Sequence, residues 1–203
     1  MKISINCHSS IRIEADKVFY FDPFKIEKET HDADIIFITH DHYDHFSIDD
    51  ITLIEKPDTV FVIPECMYNL LGGENVVTVL PGEKHLIEGH EVNVLPAYNM
   101  NKPFHPQDKG YVSYIVEIEG QRIFVAGDCD ENPDNLKVKC DIALVPVGGT
   151  YTMDFEQAAA YINRIRPKTA IPTHYGDIVG DKDDGAKFSK LVDPSIEVRL
   201  LIR

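Results

Sequence analysis

The chain has 203 residues, 43% of them hydrophobic, which is enough to bury a sizeable core and argues against a disordered protein. Its 34 acidic and 20 basic side chains give a formal charge of −14, which disfavours nucleic acid and anionic lipid and favours a small-molecule substrate. The four cysteines form no CxxC pair, and no apolar run resembles a signal peptide or a membrane span. These features predict reduced thiols and a cytoplasmic location.

The first part of the chain alternates short β-rich runs with turn residues. Three runs before Asp22-Pro23 predict an antiparallel meander, and the compact apolar run that ends at Thr39 predicts a strand buried on both faces. A helix is predicted from Ser47 to about Glu55, and a short one from about Pro64. The predicted strands of this part lie near residues 2–7, 10–15, 18–21, 34–39, 59–63 and 76–80.

The second part of the chain also alternates short β-rich runs with turn residues, and it contains more predicted strands. Helices are predicted over residues 154–164 and 184–192. The segment 97–110 holds two prolines and little periodicity, and a loop of that length is more often functional than accidental. The predicted strands lie near residues 84–88, 91–96, 111–118, 121–126, 141–145, 168–173 and 196–202.

The order of these elements indicates an α/β architecture. Strands outnumber helices and come in hairpin runs separated by single helices. We therefore expect two mixed β-sheets packed face to face, with helices on the outer faces, in a single domain over residues 1–203. The two halves look like variations on one β-rich unit, although the likeness is too weak to define a repeat.

The sharpest signal is the run His40-Asp41-His42-Tyr43-Asp44-His45, which directly follows the strand that ends at Thr39. In an extended chain positions 40, 42 and 44 project to one side, and a turn into the next helix can bring His45 round to join them. Imidazole nitrogen and carboxylate oxygen hold Zn²⁺ while leaving an open position. A two-metal site needs further ligands, and Asp128 and His174 each follow an apolar strand.

Together these segments resemble the metallo-β-lactamase-fold hydrolases. The motifs that carry the resemblance are His40-x-His42-x-Asp44-His45, Ala126-Gly127-Asp128 and Pro172-Thr173-His174-Tyr175-Gly176. The match is to the small branch that includes ascorbate-6-phosphate lactonase and, more distantly, the phospholipase D of the same fold. Segments 6–10, 22–24 and 147–153 are similar too, so the likeness covers nearly the whole chain. It implies an αββα sandwich with metals along one edge.

The resemblance implies that the ligands divide between two metals: His40 and His42 for the first, Asp44, His45 and His174 for the second, and Asp128 as the bridge. The family adds a third histidine to the first metal, near Asn99, where this sequence has none. Either His105 in the following loop is the missing ligand, or Asn99 substitutes weakly. We predict one or two Zn²⁺ ions per chain, with Mn²⁺ or Fe²⁺ as alternatives.

Three further residues are expected near the metals. His8 ends the first strand and is expected to orient a ligand, to contact substrate or to pack as an ordinary core histidine. Asp22 is expected to hydrogen-bond the histidine run or to form a plain turn. Tyr175 is expected to hydrogen-bond substrate or simply to pack. The histidines expected to be ordinary surface residues are His31, His85 and His90.

The predicted activity is metal-dependent hydrolysis. A metal-bound water has a pKa of about 7, which supplies hydroxide at neutral pH. This hydroxide is expected to attack an ester, lactone, amide or phosphoester of a small molecule, while Asp44 or Asp128 orients it and takes its proton. The alternatives are a mononuclear iron thiol or persulfide oxygenase and a non-catalytic metal-binding protein. A nuclease is disfavoured by the acidic charge, and homo-oligomerisation is left open.

Overall fold

The computed structural model describes residues 1–202, and the first half of this range forms a six-stranded sheet in chain order. Its strands are β1 (Lys2–Ile5), β2 (Ile11–Glu14), β3 (Val18–Phe21), β4 (Ile35–Phe37), β5 (Val60–Pro64) and β6 (Val76–Val79). The strands β1 to β3 pair antiparallel, and β3 to β6 pair parallel. The predicted N-terminal meander is therefore confirmed.

The second half forms a seven-stranded sheet, again in chain order. Its strands are β7 (Lys84–Ile87), β8 (His90–Pro96), β9 (Val112–Ile118), β10 (Gln121–Val125), β11 (Ile142–Pro146), β12 (Thr169–Thr173) and β13 (Glu197–Val198). The strands β7 to β10 pair antiparallel, and β10 to β13 pair parallel. Both halves thus pass from antiparallel to parallel pairing, as expected for variations on one unit.

The main core lies between the two sheets. Side chains alternate along each strand, so one face of each sheet contributes its apolar residues to this layer. Phe21 and Phe37 stack at 4.7 Å between ring centroids in the first sheet, and Tyr114 of the second sheet contacts Phe37 at 5.0 Å. The Tyr114 hydroxyl donates to the carbonyl of Ile38 at 2.7 Å, so a buried hydrogen bond joins the sheets.

Three α-helices cover the outer faces: α1 (Ile48–Ile54), α2 (Phe155–Ile165) and α3 (Asp184–Leu191). The α1 helix begins at Ser47, whose hydroxyl accepts a backbone N–H of the first turn, and it packs on the first sheet. A capping box between Asp154 and Gln157 starts α2, which packs with α3 on the second sheet. The predicted αββα sandwich is confirmed.

The last strand is shorter than predicted. The sequence predicts a strand over 196–202, whereas β13 contains only Glu197 and Val198. Beyond it the Arg199 N–H still donates to Ala170 on β12, at 3.0 Å. The next bond of a parallel ladder needs an N–H from Pro172, which has none, so the pairing stops there. Among the described residues, no helix combines the length and apolar character needed to cross a membrane.

Candidate metal centre

The predicted ligands meet at one edge of the sandwich. Residues 40–45 follow β4 of the first sheet, whereas Asp128 and His174 follow β10 and β12 of the second sheet. His105 reaches the same edge from the loop between β8 and β9. The carboxyl ends of neighbouring parallel strands lie at one edge of a sheet, which explains why residues far apart in sequence converge here.

Three histidine nitrogens form a first cluster. Nδ1 of His42 lies 3.1 Å from Nε2 of His40 and 3.2 Å from Nε2 of His105. Nitrogens that share one zinc ion at the usual bond lengths lie about 3.3 Å apart, so this spacing suits a common ion. His105 thus occupies the place where the sequence motif lacks its third histidine.

Asn99 supports the loop that carries His105. Its amide nitrogen donates to the carbonyls of Phe104 at 2.8 Å and of Tyr151 at 2.7 Å. The Tyr151 carbonyl also lies 3.2 Å from Nδ1 of His105. Because a carbonyl only accepts, this contact places the proton on Nδ1 and leaves the Nε2 lone pair free. Of the two residues that the sequence offers, His105 brings a ring nitrogen to this cluster, whereas the Asn99 amide bonds the loop that carries it.

A second cluster combines His8, Asp44, His45 and His174, all of them buried. Oδ2 of Asp44 lies 3.7 Å from Nε2 of His45 and 3.9 Å from Nε2 of His174. His8 donates to the same oxygen through Nε2, at 3.1 Å. Burial lowers the pKa of His8 despite this bond, so a neutral imidazole orients the carboxylate.

Asp128 lies between the two clusters. Its Oδ2 is 3.0 Å from Nε2 of His174 and 3.4 Å from Nε2 of His105, and its Oδ1 is 3.3 Å from Nε2 of His45. Burial alone would raise the pKa of Asp128, but His174 and His45 hold it well below its usual range. A single carboxylate therefore contacts histidines from both clusters.

The unpaired polar atoms of this site test whether it suits a metal. Buried polar atoms are normally hydrogen-bonded, yet within residues 1–202 Nε2 of His45, Nε2 of His174 and Oδ1 of Asp128 have no hydrogen-bond partner. These atoms lie close to one another, but the angles between them do not allow hydrogen bonds. Lone pairs that converge on shared space are the arrangement that a divalent cation requires, so the donor set fits a metal.

One polar network orients two of the histidines. Oδ2 of Asp22 accepts from Nδ1 of His45 at 2.8 Å and from the Thr39 hydroxyl at 2.7 Å. Since this hydroxyl donates to Asp22, its oxygen accepts from Nδ1 of His40, at 2.9 Å. Both imidazoles therefore turn Nε2 towards the clusters. The expectation that Asp22 hydrogen-bonds the histidine run agrees with these contacts.

Sequence reasoning missed Thr39 and Tyr111. The Tyr111 hydroxyl donates to Asp41 at 2.7 Å, and its ring centroid lies 5.0 Å from that of His40. A Cβ on Gly127 would approach Thr39 within 3.0 Å, so glycine lets the segment before Asp128 pass close to this threonine. The position of Thr39 directly before the histidine run was the available signal. The sequence carried no comparable signal for Tyr111.

Two other residues with sequence-based expectations lie in the core. Tyr175 was expected to hydrogen-bond substrate or simply to pack, and it packs beneath α3, with its hydroxyl against Gly185. The chain turns at His174, where φ is +59°, and the following side chain therefore enters the core. His90 was expected at the surface but is buried against Phe19, with 4.9 Å between ring centroids.

Comparison with known proteins identifies the family. The beta-lactamase superfamily domain matches residues 2–174. The chain belongs to the beta-lactamase superfamily. A superfamily relative from Alkaliphilus metalliredigens, named UPF0173 metal-dependent hydrolase, is 32% identical over 86% of this chain and 85% of its own length. The prediction of a metal-dependent hydrolase with the metallo-β-lactamase fold is confirmed.

Solved structures agree with the fold of this chain. A crystal structure from Parabacteroides distasonis has a TM-score of 0.85 and 30% identity, covering 99% of this chain and 93% of that one. A metallo hydrolase from Ignicoccus hospitalis has a TM-score of 0.82 over 98% of this chain and 94% of its own, and its 23% identity shows the fold alone. The first is named a metal-dependent hydrolase and the second a metallo hydrolase. Neither name specifies a lactonase or a phospholipase D, so the resemblance to those branches stays a prediction.

Proposed function

We propose that this chain is a two-metal hydrolase that cleaves an ester, lactone or phosphoester bond of a small molecule. The proposed ligands are His40, His42 and His105 for one ion, Asp44, His45 and His174 for the other, and Asp128 between them. The observation that carries the proposal is the position of Asp128, whose carboxylate contacts histidines of both clusters. Zinc is the proposed metal, since imidazole and carboxylate suit it, with manganese or iron as alternatives.

The protein supplies orientation and proton acceptors. When bound, the ions lower the pKa of a coordinated water to about 7 and polarise the oxygen under attack. The Asp22 and Thr39 network keeps His40 and His45 in the tautomer that presents Nε2. Asp128, buried between the clusters, is placed to orient the nucleophile and to accept its proton.

Asp44 is the second proposed acceptor. Burial alone would raise the pKa of Asp44, but the hydrogen bond from His8 and the nearby His45 lower it. Asp44 therefore stays ionised and accepts hydrogen bonds, and His8 fixes the direction of its Oδ2. In this proposal His8 acts through Asp44 and does not contact the substrate.

Metal content per chain tests the proposal. Protein purified without chelator is compared with the variants His105→Ala and His85→Ala. His85 is the matched control, because its Nε2 hydrogen-bonds Glu83 and it belongs to neither cluster. We expect two ions in the wild type and in His85→Ala, and one in His105→Ala. One ion or none in the wild type would overturn the two-metal proposal.

Turnover on a panel of esters, lactones and phosphodiesters tests the reaction. Asp128→Ala is expected to lose both turnover and at least one ion, because its carboxylate contacts both clusters. If Asp128→Ala kept full metal content and full turnover, its assigned role would be wrong. Bound iron with oxygen uptake on a thiol would favour the oxygenase, and two bound ions without turnover on any panel member would favour a metal-binding protein.

A further inference from the structure

The mouth of the metal centre is lined by aromatic and apolar side chains. A cavity of about 250 Å³ opens beside the clusters, and His42, Asp44, His105, Asp128 and His174 form its floor. Its remaining lining residues are Tyr43, Phe104, Tyr151 and Ile178. A cavity of this size suits a small molecule, whose reacting group meets the floor while the rest meets the wall.

The side chains of this wall are exposed, and two of them pack against each other. Tyr43 is 66% exposed, Phe104 40% and Tyr151 36%, which is unusual for neighbouring large apolar side chains on a soluble surface. The rings of Phe104 and Tyr151 meet edge to face at 4.7 Å. The Asn99 amide bonds the carbonyls of both residues, so the same side chain positions the aromatic pair and His105.

The mouth lacks a free positive charge. None of the cavity-lining residues of the described chain is a lysine or an arginine. Lys102, on the loop of Phe104, binds Asp130 and donates to the Thr152 carbonyl at 2.7 Å. Lys25, near the other side, lies 2.5 Å from Asp177. A phosphate or carboxylate remote from the scissile bond would find no lysine or arginine among the lining side chains, on a chain of net charge −14.

We infer that the substrate carries no charged group outside its scissile bond, which reaches the clusters while an aromatic or apolar group rests against Tyr43, Phe104 and Tyr151. This inference rests on the proposed hydrolase and specifies its substrate class. Aromatic rings gain both buried area and favourable ring contacts against such a wall.

A pair of metal-chelating probes tests the wall without depending on turnover. Benzohydroxamate and acetohydroxamate carry the same chelating group and differ only in a phenyl against a methyl group. Calorimetric titration of the metal-loaded protein is expected to show about tenfold tighter binding of benzohydroxamate. This ratio should fall towards one in Phe104→Ala and in Tyr151→Ala, and should persist in Leu86→Ala, an apolar residue 74% exposed on β7.

A third probe, 4-carboxybenzohydroxamate, tests whether the mouth accepts a negative charge on the bound molecule. We expect it to bind about tenfold more weakly than benzohydroxamate, since no lysine or arginine lines the cavity to face its carboxylate. Equal binding of these two probes, or of the phenyl and methyl probes, would overturn the inference and leave the two-metal hydrolase standing. A metal-loaded protein that binds none of the three hydroxamates would overturn the inference, whereas a protein that takes up no metal would overturn the proposed metal site and the inference together.

Discussion

Replacing Asp22 by asparagine tests how far the metal centre depends on its support. The Asp22 carboxylate accepts three hydrogen bonds, from the Thr39 N–H at 2.8 Å, the Thr39 hydroxyl at 2.7 Å and Nδ1 of His45 at 2.8 Å. Asparagine keeps the shape but replaces one acceptor by an NH₂ donor. In one orientation this donor faces Nδ1 of His45, and in the other it faces the Thr39 N–H.

Both orientations of the asparagine amide are expected to lower the free energy of unfolding. A hydrogen bond to a charged acceptor contributes about 1.5–3 kcal/mol, so the free energy of unfolding of Asp22→Asn should fall by about 2 kcal/mol. Where the NH₂ group faces His45, the imidazole proton moves to Nε2, the atom directed at the second cluster. Loss of such supporting contacts typically weakens metal binding by about 10–100-fold.

Two measurements separate these effects: urea unfolding of the metal-free protein, and metal affinity by competition with a chelator. Asp141→Asn is the matched control, because Oδ2 of Asp141 accepts the Arg122 N–H at 2.9 Å away from the site. The control should lose stability with unchanged metal affinity, whereas Asp22→Asn should lose both. An Asp22→Asn protein that binds metal as tightly as the wild type would refute the role assigned to this network.

Three further variants follow from the structure. Gly148→Ala should destabilise the protein by more than about 2 kcal/mol and weaken metal binding, because its Cβ would lie 2.1 Å from the carbonyl oxygen of His174. Tyr114→Phe should lower the free energy of unfolding, measured in urea, by about 1–2 kcal/mol, because the hydrogen bond between the sheets is lost. Burial alone would raise the pKa of Asp34, but Lys56 lowers it, so Asp34→Asn should cost less than about 1 kcal/mol at pH 7. This stabilisation is present above the unfolded-state pKa of about 3.9 and disappears as pH falls through the folded-state pKa.

Each variant has its own control. Gly73→Ala, like Gly148→Ala, is at a glycine without a positive φ, but its Cβ would meet only Val76, at 3.8 Å, so equal effects of the two glycine variants would contradict the overlap argument. Tyr68→Phe removes a hydroxyl from a residue that is exposed, and it should leave stability unchanged. For Asp34→Asn, the comparison is the same variant at pH 3, and a loss of stability that grew with acidity would contradict the assigned sign.

Much of the fold could be predicted because each apolar run is short and ends at turn residues. The run before His40 predicted a buried strand, and β4 lies there at Ile35–Phe37. The helix predicted from about Asp154 is α2 at Phe155–Ile165, and the structure adds the capping box that starts it. The ligand run was visible for a related reason, since histidine and aspartate are common zinc ligands and five of them lie within six residues directly after the strand.

The support of the site could not be predicted in the same way. The Tyr151 carbonyl that fixes His105 is a backbone atom, and its partner cannot be deduced from residue identity. The choice between Asn99 and His105 depended on a loop whose path is set by hydrogen bonds between residues far apart in sequence. The end of β13 was missed because it depends on Pro172 in a neighbouring strand.

Each sheet is built from one continuous stretch of chain, residues 2–79 and then residues 84–198. During synthesis the ribosome therefore releases the whole first sheet, with the histidine run after β4, before Asp128 and His174 exist. Until the second sheet follows, Phe21 and Phe37 lie on an uncovered apolar face, and neither ligand cluster is complete. The first cluster is therefore complete once His105 has been synthesised, and the second only after His174, late in translation.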